Sequence, residues 1–376
     1  MNQLKNGLAK AKELYLNRGQ RARELHAQGR TVLGFLCLFA PPEIVAAAEI
    51  LPYRLTGDQK EPPTAAHRYV EPFGCPYVRN LFDQDLKNKN DFIDGIIMSH
   101  SCDMVQRCYG IWTYHKKHTF QYFVNVPHTT EAYSREFYKG ELRLFREKME
   151  EISHVRITDQ KLRELIGLYN QNRALLRTLY DLRKEEPPLI SGTEVLEIMV
   201  AGMGLPVVEF NFMLEDVIAE IQSRKDKPIK KDARILFYGC VSDDLSFVKL
   251  VEECGANVVT DDTCIGTRSF LHDVPDSADP IDGLVSAYFD TFMCPRTSHG
   301  NNTSRFQYML DLTQEFKVNG VIMYLYSFCD PHKFDVPDIQ RLLQQQGIPF
   351  LVIDDDYTLS NMAGIRTRVQ AFTEMV

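Results

Sequence analysis

Short unbroken apolar runs recur along the chain, each closed by a polar or Pro/Gly-rich turn and followed by a stretch with helical spacing. Runs at 31–39, 96–98, 120–126, 235–239, 257–260, from Val321 onward, and at 350–354 read as strands. Continuous apolar strands are buried on both faces, as in parallel sheets, and strands alternating with helices of this length indicate βαβ units. Helices are predicted at 42–50, 103–117, 305–317, 337–347 and 362–375. Pro42 followed by Glu43 suits a first turn, where the missing N–H costs nothing and the carboxylate meets the helix dipole.

Two stretches depart from that rhythm. At the N-terminus, Leu4, Leu8, Ala11, Tyr15, Ala22 and Leu25 predict one amphipathic helix over 1–30, ended by Gly29. Spans 131–152, 159–184 and 192–224 are strongly helical without intervening strands. The expected fold class is therefore α/β, with two Rossmann-like parallel-sheet domains at 31–128 and 231–376, an N-terminal helix at 1–30 and a helical connector at 129–230. Residues 52–76, rich in Gly and Pro, read as a long loop, and such loops inside compact domains are usually functional.

Composition narrows the function. A chain of 376 residues with net charge −8 lacks the basic surplus that phosphate-driven nucleic-acid binding needs. No run of about 18 apolar residues and no signal-peptide core is present, so no membrane partner and a cytoplasmic location are expected. Nine cysteines in such a chain point to metal ligands or buried residues rather than a disulfide framework. No Cys-x-x-Cys pair occurs, which removes zinc ribbons, thioredoxin-like sites and ferredoxin-type cluster loops.

Three cysteines stand out by context. Cys75 sits in a Gly-Cys-Pro turn, and Cys102 and Cys329 each follow an apolar strand and precede Asp. Parallel strands align their carboxyl ends, where ligands bind, so three such thiolates can converge on one metal centre. A cluster held by three thiolates leaves an iron open to an oxygen ligand. Cys37, Cys108 and Cys294 are further candidates, each also readable as core filling, while Cys240, Cys254 and Cys264 read as structural. Asp103 and Asp330 suit an acid or base, or equally a helix cap, and His100 and His128 lie at strand ends where they could move protons. Asp354, Asp355 and Asp356 read as a solvated turn, because three consecutive acids cannot all face one ion. No phosphate-binding glycine loop is present, and no residue is assigned a catalytic role.

Several motifs, in order over almost the whole chain, carry a resemblance. They are Pro42-Glu43-x-x-x-Ala47-Ala48, Gly74-Cys75-Pro76-x-x-Arg79, Ser101-Cys102-Asp103, Cys329-Asp330-Pro331, Gly347-Ile348-Pro349 and the ending at 367–375. Together they resemble the 2-hydroxyacyl-CoA dehydratase and benzoyl-CoA reductase superfamily, and the chain's length resembles the smaller, beta-type dehydratase component. The resemblance implies a 4Fe-4S cluster between two Rossmann-like domains, held by Cys75, Cys102 and Cys329. It further implies a related sister subunit in a heterodimer, an acyl-CoA substrate, and a separate ATP-dependent iron–sulfur activator that injects one low-potential electron. In dehydratases of this type the electron makes a ketyl radical from a 2-hydroxyacyl-CoA thioester, which expels the hydroxyl group. One branch of the superfamily instead carries a double-cubane 8Fe-9S cluster in a homodimer that reduces small molecules. Cys37, Cys108 and Cys294, added to the first three cysteines, make six, the number of ligands in that branch, and the surroundings of Cys37 resemble it in particular.

Overall fold

The protein is described by a computed structural model covering residues 7–298, 303–358 and 360–376. Leu4 of the expected N-terminal helix lies outside the described residues. The first part of the chain contains α1 (Gly7–Leu16), α2 (Gln20–Ala27), β1 (Val32–Phe35), α3 (Pro42–Ala47), β2 (Leu51–Arg54), α4 (Pro76–Leu86), β3 (Gly95–Ser99), α5 (Asp103–His115) and β4 (Phe120–Val124). Helices α6 (Ala132–Ser153), α7 (Asp159–Asp181), α8 (Gly192–Gly202) and α9 (Val207–Ser223) follow. The remainder contains β5 (Ala233–Gly239), α10 (Ser246–Glu253), β6 (Ala256–Asp262), α11 (Pro280–Val285), α12 (Thr303–Glu315), β7 (Gly320–Tyr326), α13 (Asp330–Gln345), β8 (Phe350–Asp355) and α14 (Met362–Thr373). The fold is α/β with two four-stranded parallel sheets, ordered β2-β1-β3-β4 and β6-β5-β7-β8.

Both sheets thus have the same strand order. In each, the chain leaves its first strand to one side and returns on the other, so the order reverses between β1 and β3 and between β5 and β7. At such a reversal the connections diverge and open a crevice beyond the carboxyl ends of the strands. Gly239, at the carboxyl end of β5, lets the backbones close up there, since a Cβ would lie 2.6 Å from the Tyr324 carbonyl oxygen.

Four local expectations are corrected. The single N-terminal helix is two, because Gly19 takes the left-handed conformation (φ 78°) that breaks the helical path. The expected loop at 52–76 opens with β2, an edge strand on which the missing N–H of Pro52 is tolerated. Strand β1 stops at Phe35, which moves Cys37 out of the strand and into the turn beyond its carboxyl end. Helix α13 starts at Asp330 rather than Pro337: Pro331 fits its first turn, and Pro337 sits inside, removing a donor from the Lys333 carbonyl without ending the helix.

Buried polar ties hold the halves together. Asp243, with no exposed surface, accepts from the Gly57 amide (2.6 Å) and the Tyr357 hydroxyl (2.7 Å), joining the loop after β2 to the turn after β8. Glu43 at the start of α3 is equally buried, pairs with Arg173 of α7, and accepts from the Tyr288 hydroxyl at 2.9 Å. Removing one partner of such a pair strands a buried charge, at a cost of about 3–5 kcal/mol. Glu43→Ala is therefore expected to lower the urea midpoint by a stability loss of that order, while Glu43→Leu with Arg173→Met recovers most of it. An unchanged midpoint in Glu43→Ala would contradict the tie.

Candidate functional site

The helices α4, α5 and α13 begin immediately after Cys75, Cys102 and Cys329, so each of these cysteines occupies the N-cap position of its helix. Cys102 and Cys329 reach that place from the carboxyl ends of β3 and β7, and Cys75 from the turn that closes the long loop. No thiol makes a regular capping hydrogen bond. The first-turn amides of Tyr77 and Val78 nevertheless favour a Cys75 thiolate, those of Met104 and Val105 a Cys102 thiolate, and that of His332 a Cys329 thiolate. A helix N-terminus adds the positive end of its dipole.

The three thiols are electrostatic neighbours. Burial pushes Cys75 up, and Cys329 and Cys102 push it further. Cys102 is half-buried as a residue, but burial of its sulfur, reinforced by Cys329, pushes the thiol up to about 12. For Cys329 the largest cause is contact with the Cys240 side chain, followed by burial, and both push it well above the usual thiol range.

A second group lies beside the first. Cys264 is pushed up to about 12 by burial, with Cys294 and Cys37 adding to the shift, and Cys294 up to about 11 by burial and Cys37. Cys37 in turn neighbours Cys102, so the two groups are contiguous. Cys294 arrives from the other half of the chain because its segment lies along the end of β4: the Ser298 amide donates to the His128 carbonyl at 2.7 Å, and Arg296 donates to the Val126 carbonyl at 2.8 Å. Cys108 neighbours Cys102 but is not among the neighbours of Cys264 or Cys294. It is fully buried in the core on α5, and burial, with Cys102 adding, pushes it up to about 12.

Two cysteines read as structural from the sequence are thereby reassigned. Cys240 follows β5 and lies against Cys329; Cys264 follows β6, and its amide donates to the Cys240 carbonyl at 3.3 Å. Cys254 keeps its structural reading, with its sulfur 3.9 Å from the Arg366 carbonyl. The overlooked signal was strand-end position, the same one that marked Cys102 and Cys329.

Among the described residues, no three His, Cys, Asp or Glu side chains gather closely enough to hold a single metal ion. A single zinc at about 2.3 Å from each sulfur would need them about 3.8 Å apart. A polynuclear cluster spaces its ligands more widely, because each thiolate binds a different iron. The surrounding charge fits such an anionic group. Arg54, Arg79 and Arg296 are buried without a carboxylate at ion-pair distance among the described residues, and Nε of Arg296 has no hydrogen-bond partner. Burial pulls Arg296 down, while Cys294, Cys37 and Cys102 pull it up; burial likewise pulls Arg79 down and Cys75 pulls it up.

The remaining candidates separate. His100 and His128 meet edge to face with ring centroids 4.7 Å apart, and burial holds both below the usual imidazole range. Asp103 makes an exposed ion pair with Arg107 at 2.6 Å, and Asp330 is exposed in the first turn of α13, which suits helix-terminal roles. The acidic triplet is not a solvated turn: Asp355 is buried at the end of β8 and accepts from Tyr324, while Asp354 is exposed and pairs with Lys333. One residue escaped the sequence reading altogether. His332 lies one helical turn beyond Cys329, with Nδ1 3.3 Å from its sulfur and Nε2 2.7 Å from Nη1 of Arg268.

Comparison with known proteins shows which family this chain resembles. Residues 37–376 match the family described as 2-hydroxyglutaryl-CoA dehydratase, D-component. The (R)-phenyllactyl-CoA dehydratase beta subunit of Clostridium sporogenes is 25% identical over 354 residues, covering 94% of this chain and 93% of the relative. A benzoyl-CoA reductase subunit of Thauera aromatica is 27% identical over 356 residues, covering 92% and 91%. The (R)-2-hydroxyglutaryl-CoA dehydratase subunit beta of Acidaminococcus fermentans is 25% identical over 366 residues, covering 93% of each.

The thiol shifts predict how the metal-free chain responds to alkali. An unfolded thiol ionises near 8.5, whereas Cys102 and Cys264 in the fold hold their protons up to about 12 and Cys294 up to about 11. Their contribution to stability is complete below the unfolded value and is lost as pH rises through the folded values, because the unfolded chain sheds protons first. Each thiol then costs about 1.4 kcal/mol per pH unit within that window. The urea midpoint of metal-free protein is expected to fall between about pH 8 and about pH 10, and a flat profile would contradict neutral burial.

Proposed function

The chain belongs to the 2-hydroxyglutaryl-CoA dehydratase D-component family, and from that premise we propose that it is the iron–sulfur subunit of a 2-hydroxyacyl-CoA dehydratase-type enzyme. The observation that carries this reading is that three thiols, Cys75, Cys102 and Cys329, each at a helix N-terminus, are electrostatic neighbours beside buried arginines without carboxylate partners. In this reading the three thiolates hold a 4Fe-4S cluster, the helix N-termini and Arg54, Arg79 and Arg296 offset its negative charge, and burial excludes water from it. The cluster, once bound, supplies a single low-potential electron, delivered by an ATP-dependent iron–sulfur activator. The substrate is an acyl-CoA thioester, dehydrated through a ketyl radical or reduced as in benzoyl-CoA chemistry, in company with a related sister subunit. The paired imidazoles of His100 and His128, held neutral near the same sheet edge, are suited to take up a proton. The division into 1–30, 31–128, 129–230 and 231–376 belongs to the same proposal, as does a cytoplasmic location. Among the described residues no helix is long and apolar enough to cross a membrane.

A second reading is favoured by the second thiol group. Cys37, Cys264 and Cys294 adjoin the first three cysteines through Cys102, and a double-cubane 8Fe-9S cluster in a homodimeric reductase of small molecules would use both groups. In this set Cys264 stands in the place expected for Cys108.

Serine substitutions in anaerobically purified protein test the proposal. Cys75→Ser, Cys102→Ser and Cys329→Ser are each expected to lose most of the iron and all activity, and Cys254→Ser to lose neither. Full iron in Cys102→Ser would contradict the ligand assignment. Cys264→Ser keeps its iron under the first reading, whereas loss of about half would select the second.

A further inference from the structure

His332 is 3% exposed and sits in the first turn of α13, facing the sulfur of Cys329. Its two ring nitrogens meet opposite chemistry. Nε2 lies 2.7 Å from Nη1 of Arg268, and a guanidinium can only donate, so Nε2 must accept and carries no proton. Nδ1 therefore bears the proton, and it lies 3.3 Å from the Cys329 sulfur, with the Gly239 carbonyl the other acceptor beside the ring. Arg268 is itself fixed: it is 3% exposed, its Nε pairs with the Asp262 carboxylate, and its Nη2 donates to the Asp262 carbonyl at 2.7 Å. Its guanidinium carbon lies 5.4 Å from the Tyr238 ring centroid, and that ring meets His332 edge to face at 5.8 Å. The same Nη1 reaches the Cys264 sulfur at 3.7 Å, so one guanidinium touches one thiol group directly and the other through an imidazole.

We propose that His332 is a positioning residue that donates its Nδ1–H to the Cys329 sulfur, with its tautomer locked by Arg268, and so sets the reduction potential of the cluster that Cys329 helps to hold. The inference rests on the cluster reading above. A donor on a ligand sulfur draws electron density from it and favours the reduced, more negative state, which raises the potential. Rotation of the ring is prevented from both sides, because turning it over would place a proton against Arg268. The hydrogen bond is thus present before any electron arrives and costs no reorganisation when one does.

The test compares His332→Leu, His332→Asn and His332→Gln with the parent protein, all purified anaerobically. Iron and acid-labile sulfide are measured first, and the midpoint potential second by an EPR-monitored titration. Leu removes the donor, and Asn places an amide N–H near the Nδ1 position. Gln extends its amide towards Arg268. Expected are parental iron in all three, and a potential lower by roughly 59 mV, a tenfold change in the reduced-to-oxidised ratio of a one-electron couple, in His332→Leu. His332→Asn is expected to recover most of that shift and His332→Gln little of it. An iron-loaded His332→Leu protein with the parental potential overturns the inference and leaves the cluster reading standing. If His332→Leu fails to hold iron, the other two variants decide, and equal potentials in them overturn the inference. Absence of iron from the parent protein would instead overturn the cluster reading itself.

Discussion

In the proposed reading, negative charge on buried sulfur must be offset from within the fold, and the site is arranged around that constraint. Acids of the elements that carry the thiols are committed to cations: Asp262 to Arg268, Asp103 to Arg107, Asp354 to Lys333. What remains to face the thiols is positive: the amino ends of α4, α5 and α13, and the guanidinium groups of Arg54, Arg79 and Arg296. Parallel sheets deliver this arrangement readily, because each strand that ends at the crevice is followed by a helix that begins there. Placing the cysteine at the junction puts the thiol and the dipole on the same residue.

Two sheets are needed to surround a ligand rather than line one side of it. Their carboxyl ends are kept together by polar ties without exposed surface, Asp243 joining the loop after β2 to Tyr357, and Glu43 joining α3 to Arg173 and Tyr288. Tyr77 and Tyr326 stack 6.2 Å apart across the same junction, one two residues after Cys75 and the other three before Cys329. Rigidity in this frame and placement of the thiols are therefore one property. Thiols so far apart in sequence come together only when the whole fold is formed.

Much of this was legible in the sequence. Continuous apolar strands announced parallel sheets, and Cys102 and Cys329 stood out because an apolar run stops at each and an Asp follows. What escaped was whatever depended on distant strands being laid side by side. Cys264 and Cys240 also follow strands, but no Asp comes directly after either, and their proximity to Cys294 and Cys329 arises only when β5, β6 and β7 are laid side by side. Cys108, six residues after Cys102, lies buried in the core on α5, in keeping with its reading as core filling. His332 was invisible because its meaning comes from Arg268, brought to it from beyond β6. At the level of elements, Pro52 and Pro337 hid a strand and a helix start, each being tolerated at an edge or within a helix where a general rule would exclude it.

The central claim is that iron sits among Cys75, Cys102 and Cys329, and the most direct measurement is anomalous diffraction at the iron edge from anaerobically grown crystals. The account predicts a compact set of iron peaks bounded by those three sulfurs, between the carboxyl ends of the two sheets. Iron found elsewhere on the chain, or protein that crystallises anaerobically with its activity intact and no iron peak at that place, would contradict it.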